Sequence, residues 1–156
     1  MSKMHMALIV FVALILLFSA IPIQASPTEP VRANISDDAA KLKVQDLLTK
    51  NGIQVVSINV SDGRANGGTK SMIIAYESSA QNVSDLGLET GKILGPWFGA
   101  VESGWDCDEL STVIDDNNGK AKATWYCSKE WKDAYLHGDL TSNQIIANVA
   151  GTVTKV

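Results

Sequence analysis

Residues 53–76, IQVVSINVSDGRANGGTKSMIIAY, decide the fold of this chain. Apolar and polar side chains alternate on both sides of a glycine-rich segment, as they do in strands with one buried face. The apolar positions are Val56, Ile58 and Val60 before the segment and Met72, Ile74 and Tyr76 after it. We therefore predict a hairpin around the loop Asp62–Gly68 in which Ser61 pairs with Thr69. This register sets Ile58 opposite Met72 and Val56 opposite Ile74, apolar against apolar.

A second hairpin is predicted from Trp105–Ile114 and Ala121–Cys127. Its turn, residues 115–119, ends in Asn-Gly. Both of these residues tolerate positive φ, and Asn-Gly before a strand is a strong hairpin signal. The two hairpins together supply four strands.

Helical periodicity separates and follows the hairpins. The predicted helices run from a Ser36 cap to Asn51-Gly52, from Val83 to Glu102, from Lys129 to Leu136 behind a Ser128 cap, and from Gln144 to Ala150 behind Thr141 or Ser142. Side-chain oxygens at these caps can accept the free amide hydrogens of a first helical turn. Gly95-Pro96 is a stop signal inside the second segment, which could therefore be two short helices with a kink.

The order of elements, α-β-β-α-β-β-α(-α), predicts an α+β fold. We expect a four-stranded antiparallel sheet with the helices packed on one face. Residues 152–156 could add a short strand or form a frayed tail. The repeated order of helix, strand and strand also suggests a structural duplication, although residue identity between the halves is low.

Residues 1–25 precede this domain and are expected to direct export. The segment Met6–Ile23 carries no charge and follows a single lysine. This layout is typical of a signal peptide, and 18 uncharged residues are also enough for an uncleaved membrane anchor helix. We expect residues 26–35 to form a flexible linker and residues 36–156 to form a single domain, either secreted or held at the cell envelope.

Export favours a disulfide between Cys107 and Cys127, the two cysteines of the chain. If Ile114 opposes Lys120 across the second turn, Cys107 falls directly opposite Cys127. A redox-active pair or a pair of metal ligands is the alternative. The separation of 20 positions lacks the Cys-x-x-Cys geometry that is usual for either role.

Four glycines recur at every fourth position of the second helical segment: Gly87, Gly91, Gly95 and Gly99. Each interior glycine costs a helix roughly 0.5–1 kcal/mol relative to alanine, so the pattern indicates a close contact. One interpretation is a bare packing face for another helix, including one from a second copy of the chain in a homodimer. The other is packing against the protein's own sheet or third helix.

A run of carboxylates stands between Ile93 and Gly119, where the sequence has no lysine or arginine. Its members are Glu102, Asp106, Asp108, Glu109, Asp115 and Asp116. The run could bind a divalent cation or a basic partner, or it could form a solvated acidic edge that discourages aggregation. A hydrolase would use Asp106, Asp108 or Glu109 with His137 nearby.

Most aromatic residues lie in the C-terminal half, where they could form a core or a half-exposed platform for glycans or peptides. These residues are Trp97, Phe98, Trp105, Trp125, Tyr126, Trp131 and Tyr135. Three Asn-x-Ser patterns, at Asn34, Asn59 and Asn82, are candidate N-glycosylation sites.

Composition excludes several functions. The chain has 13 basic and 17 acidic residues, a net charge of −4 and no basic run, which argues against nucleic acid as a partner. Only one histidine, His137, follows the export segment, and the sequence contains no phosphate-binding loop and no nucleophile elbow. No catalytic, cofactor-binding or metal-binding residues are therefore predicted. We expect a non-enzymatic binding or cell-envelope module whose membrane contact, if any, is through residues 1–25; a secreted hydrolase and a membrane-tethered accessory subunit are the alternatives.

Overall fold

The computed structural model describes residues 34–116 and 118–156. The predicted signal or anchor segment and all but the last two residues of the predicted linker lie outside the described residues. The described helices are α1 (Asp37–Lys50), α2 (Val83–Glu102), α3 (Lys129–Leu136) and α4 (Ser142–Ala150). The described strands are β1 (Gln54–Asp62), β2 (Lys70–Glu77), β3 (Glu109–Asp115), β4 (Ala121–Cys127) and β5 (Thr154–Lys155). The α+β class is confirmed, and residues 154–155 form the short strand that was one of the two expectations for the C-terminus.

Side-chain oxygens cap the helices as the sequence predicts. The hydroxyl of Ser36 accepts the N–H of Ala39 at 3.3 Å, and Ser128 accepts that of Trp131 at 3.4 Å. Thr141 forms a reciprocal capping box with Gln144 at the start of α4. None of the described helices has the length and apolar content needed to cross a bilayer.

The sheet is mixed and has five strands in the order β1-β2-β3-β4-β5, so the predicted four-stranded antiparallel sheet is wrong in number and in orientation. The hairpins are antiparallel, but β2 and β3 are parallel. The reason is α2, whose 20 residues span about 30 Å and carry the chain back along the whole sheet. After such a crossover the next strand begins at the same end as the previous one.

Both hairpin registers differ from the predicted ones. In the first hairpin Ile58 pairs with Ile74 and Ser61 with Ser71, a shift of two positions that keeps apolar residues on the same face. Val56 lies at a bulge and is exposed. In the second hairpin Ile114 pairs with Ala123, three positions beyond the expected Lys120. Consequently Leu110, and not Cys107, is opposite Cys127.

One face of the sheet is buried beneath the helices. Alternate residues of the central strands are buried, namely Met72, Ile74 and Tyr76 in β2 and Leu110, Thr112 and Ile114 in β3. The residues between them are only half-buried. Helix α1 packs on β1, α4 packs on β4, and both contact α2.

Helix α2 continues through Pro96, so the predicted stop at Gly95-Pro96 is wrong. Proline has no N–H to donate to the carbonyl four residues earlier, which belongs to Lys92. The side chain of Asn51 supplies the missing donor, with Nδ2 at 3.2 Å from the Lys92 oxygen. Gly95 in turn lacks the Cβ that would meet the proline ring in a helical conformation. The hydrogen bond from Asn51 and the absence of a Cβ at Gly95 therefore make the proline compatible with a single helix.

Candidate functional site

The side chain of Arg64 binds two of the carboxylates in the predicted acidic run. Arg64 lies in a 3-10 turn between β1 and β2, and its Nη1 and Nη2 donate to the Asp106 carboxylate at 2.5 and 2.9 Å. Its Nε donates to Asp108 Oδ2 at 2.8 Å, and the same oxygen accepts the backbone N–H of Lys70 at 3.0 Å. We call Arg64, Asp106 and Asp108 the arginine clamp. It joins the loop of the first hairpin to the segment that leads into β3.

The clamp corrects the expectation of a solvated acidic edge. Asp108 is only 8% exposed, whereas the Asp106 side chain remains largely in solvent. Hydrogen bonds from Arg64 lower the pKa of Asp106. Burial raises the pKa of Asp108, but hydrogen bonds from the Lys70 backbone and from Arg64 outweigh it and the net shift is downward. Both carboxylates are therefore ionised structural groups at neutral pH.

The other carboxylates of the run are separate from one another. Asp116 Oδ1 accepts the backbone N–H groups of Asn118 and Lys120, each at 2.9 Å, and so closes the second turn. Glu109 lies within 3.4 Å of the Ser71 hydroxyl. Among the described residues no three acidic, histidine or cysteine side chains are grouped as metal ligands. The structure does not assemble the run into one site.

A cleft of about 400 Å³ lies between the segment after α2 and helix α3. Its lining includes Val101, Trp105, Asp106, Lys132, Asp133 and His137, with Leu136 at its edge. Asp106 and His137, two members of the hydrolase hypothesis, thus line the same space, while Asp108 and Glu109 do not line it. We call this space the lysine cleft, after the residue that distinguishes it.

Lys132 is the buried cation of the cleft and is only 7% exposed. Its Nζ donates to the carbonyl oxygen of Cys107 at 3.0 Å and lies 3.3 Å from Asp133 Oδ1. The other oxygen of Asp133 binds Lys129, and the hydrogen bond from Lys129 is the main cause of a lowered pKa at Asp133. An ammonium group has three hydrogens, so one remains without a protein acceptor in the described part of the chain. The sequence does not single out Lys132, because nothing in its spacing distinguishes it from the exposed lysines of a helix.

Both cysteines are buried, and their sulfurs are not bonded to each other in the structure. The Cys107 thiol donates to backbone carbonyl oxygens of Glu109, at 3.3 Å, and Lys70, at 3.5 Å. Burial raises the pKa of Cys107, and it raises that of Cys127 to about 12. Neither thiol has the lowered pKa of a reactive nucleophile. The register that led to the predicted disulfide is wrong, while the disulfide itself stays a prediction of the export hypothesis.

The tryptophans form core rather than a platform. Trp97, Trp105 and Trp125 are fully buried, and the indole N–H of Trp125 donates to the Tyr76 hydroxyl at 3.2 Å. The exception is a stacked pair, Tyr126 and Trp131, with ring centres 5.9 Å apart and planes within 5°. Tyr126 is 48% exposed, so this pair keeps the features of the predicted half-exposed platform.

The glycine face of α2 has two parts. A Cβ at Gly87 or Gly91 would lie 3.9 or 3.4 Å from the side chain of Ile146 in α4, so this half serves internal packing. A Cβ at Gly95 or Gly99 would meet nothing within 4 Å. This second half lines an open groove of about 190 Å³, whose walls include Phe98, Tyr135 and Ile145. The expected internal contact with the sheet or the third helix is therefore wrong in its partner, because Gly87 and Gly91 pack against the fourth helix, and half of the face remains uncovered by the described residues.

The three glycosylation motifs have different environments. Asn34 and Asn59 are exposed, and Asn59 lies on the edge strand β1. Asn82 is the cap of α2, where its Oδ1 accepts the Asp85 N–H at 3.0 Å and its Nδ2 donates to the Asp85 carboxylate at 2.8 Å.

Comparison with known proteins identifies one family. A family model described as Domain of unknown function (DUF8159) matches residues 35–156. No curated protein and no solved structure matches the chain.

Proposed function

The chain belongs to the family Domain of unknown function (DUF8159), and we propose that it is an exported, non-enzymatic binding domain whose ligand site is the lysine cleft. The observation that carries the proposal is the combination of an open space of about 400 Å³ with a nine-tenths buried lysine in its lining. Ligand sites of small molecules are typically concave spaces of about 300–1,000 Å³ with apolar walls and a few placed polar groups.

Binding without catalysis is supported by the state of the polar groups in the cleft. Asp106 and Asp133 are paired with cations, and the lowered pKa of each carboxyl opposes a role as proton donor at neutral pH. The Cys107 thiol is buried and donates its hydrogen to backbone oxygens. Among the described residues, His137 forms neither a hydrogen bond nor an ion pair with a carboxylate that could orient it as a base. These observations on the described residues of the cleft support binding rather than catalysis.

The location and partners belong to the same proposal. Residues 1–25 act as a signal peptide or, uncleaved, as the single anchor helix that ties the domain to a membrane. The acidic balance of the chain supports ligands other than nucleic acid. A homodimer formed through the open half of the glycine face, at Gly95 and Gly99, is a further element of this proposal.

The proposal is tested by titrating isotope-labelled protein with n-butanol, n-butyrate and n-butylammonium, and following the NMR signals of Trp105 and His137. At least one probe should shift these signals in a saturable way. The variant Leu136→Trp fills the edge of the cleft and should abolish the shifts. Leu42→Trp places the same indole on the exposed surface of α1 and should leave them intact. If no probe shifts the cleft signals, or if Leu136→Trp has no effect, the binding proposal is wrong.

A secreted hydrolase is the second candidate, favoured by the single fact that Asp106 and His137 line the same cleft. A hydrolase would turn over chromogenic esters, glycosides or anilides, and the substitutions His137→Gln and Asp106→Asn would abolish this turnover. We expect no turnover above that of a blank, and any turnover sensitive to these substitutions would replace the binding proposal.

A further inference from the structure

We infer that the lysine cleft binds a small organic acid, with the carboxylate of the ligand at Lys132 and its apolar part against Val101 and Leu136. This inference rests on the proposed binding function and adds the chemical class of the ligand. It starts from Lys132, which is a lining residue of the cleft and whose ammonium group has one hydrogen without an acceptor among the described residues.

Because Lys132 is buried, water does not readily satisfy this remaining hydrogen. An ammonium group removed from water loses hydration that its partners must replace. Lys132 has a carbonyl oxygen at 3.0 Å and a carboxylate oxygen at 3.3 Å, and that carboxylate is shared with Lys129. An anionic oxygen entering the cleft would add a charge-assisted hydrogen bond, which is about twice as strong as a neutral one.

Backbone donors stand beside the lysine. The segment 104–107 forms one side of the cleft, and within the described residues the N–H groups of Asp106 and Cys107 have no hydrogen-bond acceptor. The carboxylates of the lining are not acceptors for these two N–H groups in the described part of the chain; Asp106 is paired with Arg64 and Asp133 with Lys129. Lys132 and the backbone of this segment therefore supply hydrogen-bond donors among the lining residues, which suits an anion.

The charge balance of the cleft favours one negative charge over two. Asp106 and Asp133 lie in the lining, and although each is paired, their carboxylates would repel a dianion more strongly than a monoanion. The lining also includes the apolar side chains of Val101 and Leu136. A monocarboxylate with a short hydrocarbon chain meets both conditions, whereas inorganic phosphate leaves the apolar wall uncovered.

The test compares n-butyrate, n-butylammonium and inorganic phosphate in NMR titrations that follow the amide signals of Asp106 and Cys107. We expect saturable shifts with butyrate and binding at least about tenfold weaker for the other two probes. Lys132→Met keeps the length of the side chain without its charge and should weaken butyrate binding about tenfold or more.

A second pair of variants keeps the test decisive if Lys132→Met fails to fold. Leu136 is 37% exposed at the edge of the cleft. Leu136→Asp should weaken butyrate binding about fivefold relative to Leu136→Asn, because only the aspartate repels the ligand. Butylammonium or phosphate binding as tightly as butyrate, or equal butyrate affinity of the two Leu136 variants, would overturn the organic-acid inference and leave the binding function standing. A cleft that responds to none of butanol, butyrate and butylammonium would remove both.

Discussion

At the scale of single residues, we expect removal of the Arg64 side chain to lower the stability of the domain, because Arg64 binds Asp106 and Asp108. Arg64→Ala leaves Asp108, only 8% exposed, with the Lys70 backbone N–H and without its cation. We expect the free energy of unfolding in urea to fall by about 1–3 kcal/mol. Asp106→Asn removes the exposed partner and should lower it by less than about 1 kcal/mol. Equal effects of the two substitutions would show that Asp108 does not depend on the guanidinium.

Acid should reduce the difference between the wild type and Arg64→Ala. The pKa of Asp108 is lower in the folded protein than its ordinary value. Its contribution is therefore complete above the unfolded pKa of about 4 and is lost as the pH falls through the lower folded value. Urea unfolding of both proteins, repeated from about pH 7 to about pH 3, tests whether the difference in their free energies of unfolding shrinks in acid. The sequence alone does not reveal the clamp, because Arg64 lies 42 positions before Asp106 and only the fold brings them together.

At the scale of the elements, α2 and Asn51 form a pair that a double-mutant cycle can measure. Asn51→Ala removes the donor to the Lys92 carbonyl and should lower the free energy of unfolding by about 0.5–1.5 kcal/mol. In a Pro96→Ala background the alanine N–H can bond the same carbonyl, so the cost of Asn51→Ala should largely disappear. Additive effects of the two substitutions in urea unfolding would contradict the proposed role of Asn51.

The elements also show where local sequence information ends. Caps and apolar periodicity are local, and the four helices were predicted to within two residues at each end. Strand pairing depends on turn geometry and on the crossover, which are not local. The first loop, which contains the 3-10 turn at residues 64–66, has the predicted seven residues but is displaced by one position to residues 63–69, and this displacement moves the register by two. A bulge between Ile114 and Asp115 accompanied the odd shift of three in the second hairpin, which separated Cys107 from the position opposite Cys127.

At the scale of the whole molecule, export and the state of the two cysteines are linked. An oxidising compartment favours a disulfide between them, and a loop of 20 residues contributes roughly 3 kcal/mol in the chain-entropy model. We predict that protein recovered from its source begins at Ser26 and gains two daltons in intact mass on reduction. Alkylation in denaturant without reductant should add no label. Two labels would mean that both thiols are free, as they are in the structure.

Because burial raises the pKa of both thiols, alkylation of the native protein cannot replace alkylation in denaturant: slow labelling would result whether the cysteines were bridged or free. An intact N-terminus at Met1 with free thiols would contradict cleavage and bridge together, whereas an intact N-terminus with a bridge would identify residues 1–25 as an anchor.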